Sequence, residues 1–134
     1  MNSNLNKAKS FYKKAEKSSI ENNNPMEVVK TMVNELTKSM NIVISSTGKT
    51  EQKNVRAKHF SRALVIIYTL QTSLDFEKGE ALAGKLFQVY EYCRKQLINC
   101  FSHKIIEGVV KAVKALNDIF VESRNENVQP AWIN

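Results

Sequence analysis

Four segments of this chain space their apolar residues alternately three and four positions apart. Val29, Val33, Leu36, Met40 and Val43 form one series, and Ala83, Leu86, Tyr90, Cys93, Leu97 and Cys100 form another. Ile106, Val109, Val113, Leu116 and Phe120 form a third. Phe60, Ala63, Leu64, Ile67, Leu70 and Leu74 make a comparable stripe between the first two. An α-helix turns once in about 3.6 residues, so each series falls on one helical face. A strand, with its period of two, would scatter the same residues over both sides. Repeats near 3.5 residues favour shallow crossing angles and bundle packing. With only four Gly and two Pro, the long segments lack breakers.

Local signals set the boundaries. Asn24 suits an N-cap, Pro25 the first helical position, and Glu27 the far side of a capping box. That helix is predicted to reach about Ser45. Ser46–Thr50, with Gly48, reads as a loop, and the next helix begins near Glu51. Asp75 is a natural N-cap for the third long helix, with Glu77 in its first turn. Ser102 is predicted to cap the last helix, which fades near Ser123. Ahead of these, residues 1–19 carry Leu5, Ala8, Tyr12 and Ala15 at helical spacing among Asn, Lys and Ser. The expected fold is all-α: an antiparallel four-helix bundle over residues 24–124, with an additional short N-terminal helix. Residues 1–23 are expected to be a mobile segment and 125–134 a tail containing Ala131-Trp132-Ile133. A length of 134 residues suits one such domain.

Catalytic chemistry finds no foothold. His59 and His103 lie far apart, with no second ligand at metal-binding spacing. No Gly-rich phosphate loop and no paired Glu-x-x-His motif is present. Cys93 and Cys100 are seven apart on one helix, a rise of about 10 Å, which is too far for a disulfide. They read as small apolar core residues in a reducing compartment. No catalytic, cofactor-binding or metal-binding residue is therefore expected, and binding is the better functional class. The net charge is +7, from 20 Lys and Arg against 13 Asp and Glu. The lysines are scattered rather than interleaved with stacking aromatics, so nucleic acid is not the expected partner. No signal peptide and no membrane-spanning run is legible, which points to the cytoplasm.

Several apolar residues lie off the stripes. Val65, Ile66 and Tyr68 do so on the second helix, and Phe87, Ile98 and Phe101 make a second row on the third. The second helix is thus either central in the bundle or exposes a second apolar surface.

Ala63–Phe101 carries a further signal. An apolar helix is followed by Leu74-Asp75-Phe76-Glu77-Lys78-Gly79, then Ala83, Leu86 and Val89-Tyr90-Glu91-Tyr92-Cys93. This order resembles the flagellar export chaperones of the FliS family. They show a Leu-Asp-x-x-x-Gly joint, an Ala, a Leu, and then Leu-Tyr-x-Tyr-Met. Upstream, Phe11-Tyr12 resembles the family's early Ala-Tyr pair, and Asn24-Pro25-Met26-Glu27-Val28-Val29 its Ser-Pro-x-x-Leu-(Val/Ile) helix start. The likeness runs from about Phe11 to Phe120. Met32-Val33-Asn34-Glu35 departs from the usual Leu-Tyr-Asp-Gly, Cys93 stands for Met, Val89 for Leu and Lys85 for Asn. These mark a divergent member.

The resemblance implies a cytoplasmic chaperone that binds the C-terminal segment of flagellin and prevents its polymerisation before export. It extends the partners to the export apparatus or a co-chaperone. The candidate partner-binding residues are Tyr12, Ile66, Tyr68, Leu70, Phe87 and Tyr92, with Tyr12 on a segment that folds back over the groove in the free protein. Asp75 and Gly79 are read as structural. Two alternatives stand: a helical adaptor for another secretion substrate, and a basic nucleic-acid-binding bundle. Oligomeric state is left open.

Overall fold

Helices with one apolar face and short connections bury that face only by folding back on one another. The computed structural model describes residues 25–124. Four helices follow in order: α1 (Pro25–Ser46), α2 (Lys53–Thr72), α3 (Phe76–His103) and α4 (Glu107–Arg124), with a short 3-10 turn at Thr50–Gln52 leading into α2. Each packs on its sequence neighbours, and α4 returns against α1 to close the ring. Residue pairing shows the antiparallel sense. Arg62 bonds Glu35 while Ser39 faces His59. Phe60 meets Phe101 while Gln71 reaches Phe87 and Glu91. The expected four-helix bundle is present; the additional N-terminal helix and the tail lie outside the described residues.

The core follows the stripes closely, except that Ile106, expected in the seam of the last helix, lies ahead of α4 and is 38% exposed. All six members of the Ala83–Cys100 series are buried, as are Val29, Val33, Leu36, Met40 and Val43. Tyr90 is the largest side chain sealed inside, and burial pushes its phenol pKa far up. The reading of α2 needs correction at Ile66, which lies in the core together with Ala63, Ile67, Leu70 and Leu74. α2 sits between α1 and α3, so its buried arc is wider than one stripe. Of the two alternatives for this helix, the central position accounts for Ile66.

The connections show what side chains contribute at helix ends. Gly48 adopts φ 82° after α1, a conformation that suits glycine. Arg56 then donates to the Ser46 and Lys49 carbonyls, at 2.6 and 3.2 Å, satisfying acceptors left over at the end of α1. Asp75 caps α3 as predicted, its carboxylate accepting from the Lys78 amide at 3.0 Å. Ser102 does not cap the last helix. Cys100 still belongs to the buried seam, so packing carries α3 on to His103. Lys104 ends it in the left-handed region at φ 60°, its amide bonding the Cys100 carbonyl at 2.8 Å. Ile106, without a polar side chain, instead holds the position before α4, its carbonyl accepting from Val110 at 3.0 Å.

Candidate functional site

The α2–α3 border gathers most of the sequence-predicted surface. Tyr68 on α2 is 69% exposed and Tyr92 on α3 is 38% exposed. Phe87 is half-buried against the core and meets Phe76 at a tilt of 58°, with ring centroids 6.0 Å apart. Ile66 and Leu70 are each only 1% exposed. In this packing they lie beneath the surface, where they support it from the core, and they do not offer a face to a partner. Tyr12 lies outside the described residues.

The border alternates in character along its length. At one end Phe60 and Phe101 stack with centroids 4.2 Å apart and planes inclined by 15°. At the other end stand Phe76 and Phe87. Between them Arg94 donates two hydrogen bonds to the Glu91 carboxylate, at 2.8 and 2.7 Å. Gln71 Nε2 donates to the Phe87 carbonyl and to Glu91 Oε1, each at 3.4 Å. The Arg94 guanidinium, with help from Gln71, holds the Glu91 carboxyl down at about 2. The polar middle thus keeps its charge, and the aromatic ends present ring surface beside it.

Sequence reasoning undervalued this arrangement. Phe87, Glu91, Arg94, Ile98 and Phe101 are spaced 4, 3, 4 and 3, the same alternation as the buried seam but on a neighbouring face. Phe87, Ile98 and Phe101 were legible as a second row. Glu91 and Arg94 interrupt it with charge, so it does not stand out as a stripe. Phe76 was visible only as part of the joint, and its contact with Phe87 brings it into the surface.

The remaining reactive groups are structural. Cys93 is sealed in the core, and burial pushes its thiol up to about 12. Cys100 is buried too, 3.5 Å from Thr47 Oγ1. His59 Nδ1 lies 3.2 Å from Ser39 Oγ, and burial beside Lys58 and Arg62 lowers its pKa. Among the described residues no three His, Cys, Asp or Glu side chains converge to hold a metal ion. No described helix is long and apolar enough to cross a membrane.

An antiparallel helical bundle with aromatic rings along one helix border belongs to the class of helical binding proteins. The family model for the flagellar protein FliS matches residues 8–127, and the chain belongs to that family of flagellar export chaperones. Comparison with curated proteins and with solved structures returns no match.

Proposed function

We propose that this protein binds the C-terminal amphipathic segment of flagellin in the cytoplasm and keeps it from polymerising before type III flagellar secretion. The observation that carries the reading is the α2–α3 border, where exposed Tyr68, Tyr92 and Phe76 and the partly covered Phe87 flank a fixed charged centre. Family membership supports this class of cargo. An amphipathic segment can lay an apolar face on such rings as it becomes helical, and the tyrosine hydroxyls tolerate water when the site is empty. Ordering the segment costs part of the gross interaction, which keeps the complex releasable without chemistry. The export apparatus or a co-chaperone would meet the loaded complex.

Titration with a flagellin C-terminal peptide, followed by circular dichroism, tests this. A 1:1 endpoint with a gain in helical signal is expected. Tyr68→Ala and Tyr92→Ala should each weaken binding by roughly 5- to 30-fold, the range of a moderate interface anchor, while leaving the free protein's unfolding curve in place. No helical gain, or full affinity in the double variant, would overturn the assignment. The proposed lid role of Tyr12 predicts that peptide binding lowers amide protection over residues 4–16; unchanged protection would remove that element alone.

A further inference from the structure

The joint between α3 and α4 carries exposed apolar residues beyond the four aromatic side chains on which the flagellin reading rests. Residues 101–107 are exposed without interruption, and they include Phe101, Ile105 and Ile106. Ile98 three residues earlier and Val110 four residues later are exposed as well. Five large apolar side chains therefore stand around one bundle end. Soluble surfaces carry single exposed apolar residues routinely, but a contiguous group marks an interaction site.

The charge around them is predominantly positive, with Glu51 and Glu107 exposed among the lysines. Between Tyr92 and Asn117 the chain holds Arg94, Lys95, Lys104, Lys111 and Lys114 against Glu107, with Arg94 and Lys114 paired to Glu91 and Asp118 just outside that stretch. Lys95, Lys104 and Lys111 are exposed and make no ion pair among the described residues. The α1–α2 connection reaches the same end, since Thr47 contacts Cys100, and it adds exposed Lys49 and Lys53 beside exposed Glu51. The opposite joint, between α2 and α3, carries Asp75 and Glu77 with only Lys78 to offset them.

We infer that this apolar, lysine-ringed end of the bundle docks on an anionic bilayer surface. What decides between partners is that exposed apolar side chains and lysines with no ion pair among the described residues stand together at one turn. The apolar residues can enter the headgroup boundary while the surrounding lysines meet anionic lipid. Docking of this kind needs no spanning helix and leaves Tyr68 on α2 and Tyr92 in the body of α3 outside the contact.

Co-sedimentation of the full chain with phosphatidylglycerol-containing vesicles, and with pure phosphatidylcholine vesicles, tests the inference. Binding is expected to the anionic vesicles, to fall with added salt, and to be weak on the zwitterionic ones. The pair Lys104→Glu and Lys111→Glu should weaken it at least roughly fivefold per residue, as expected for a lysine lost near a charged surface. Ile105→Ser with Ile106→Ser should weaken it at all salt concentrations. Circular dichroism would verify that both double variants stay folded. Binding that both variants retain, or no binding to anionic vesicles, overturns the inference. So does a finding that the same substitutions instead abolish self-association or capture of an acidic amphipathic peptide.

Discussion

The two joints that flank α3 are each only a few residues long, yet they are built on different principles. At the α2–α3 joint, Leu74 is buried in the core and Asp75 caps the next helix through its carboxylate. The Gly79 amide adds a bond to the Asp75 carbonyl at 2.7 Å. At the α3–α4 joint, Lys104 sits in the left-handed region, and Ile105 and Ile106 face outward. One joint is held by burial and capping. The other ends a helix by backbone geometry and leaves its apolar residues at the surface. The first joint is anchored in the core, and the second leaves apolar side chains open to solvent.

The largest expected effect separates the joints by burial. Leu74→Ala should destabilise the protein by about 2–4 kcal/mol, the usual result of emptying a core site. Ile105→Ala should stay within about 0.5 kcal/mol, as for a surface substitution. Urea unfolding of both variants measures the contrast; comparable losses would break the comparison. Next comes capping. Asp75→Ala should cost about 1 kcal/mol. Lys104→Gly should instead stabilise by about 0.5 kcal/mol, because glycine meets φ 60° without a Cβ penalty that outweighs its greater unfolded-state freedom. A destabilising Lys104→Gly would show that the lysine side chain itself holds the joint.

Acid should test the polar contacts of Glu91 and His59. Glu91 has its pKa lowered from 4.5 to about 2, so its contribution is present above 4.5 and lost as pH falls towards 2. Glu91→Gln should flatten that part of the stability profile. His59 is lowered from 6.5, so the unfolded chain binds its proton more readily and stability declines as pH falls below 6.5. His59→Gln should remove the decline, as thermal melts at pH 5 and pH 7.5 would show. The smallest effect is kinetic. Cys100 accepts the bond that closes the α3–α4 joint, whereas Cys93 lies deeper along α3 with its thiol pushed up to about 12. Local opening of that joint should let iodoacetamide label Cys100 before Cys93, and equal rates would argue that both wait for global unfolding.

The bundle was readable because burial on a helix leaves a periodic record. The seam from Ala83 to Cys100 is buried residue for residue, and Asp75 caps where its chemistry places it. The errors arose where two local rules competed. Ser102 has the chemistry of an N-cap, but Cys100 extends the seam and burial outweighs the cap. Ile66 falls off a single stripe, yet α2 has neighbours on two sides. At the candidate surface, Tyr68 and Tyr92 were legible as off-seam aromatics. The pairing of Phe76 with Phe87 and of Phe60 with Phe101 joins residues that are distant in sequence, and periodicity along one helix does not report such contacts.

Sequence alone determined the helices, their order, their buried faces and the family, because each is written in local spacing and residue type. Tertiary structure decided which off-seam residues stay outside. Ile66 and Tyr68 are two positions apart, but one is sealed beside its neighbours and the other is open to solvent. That outcome depends on how helices surround each position in space. The same packing separates the anchored joint at Asp75 from the exposed one at Ile105, since exposure is a property of the assembled bundle.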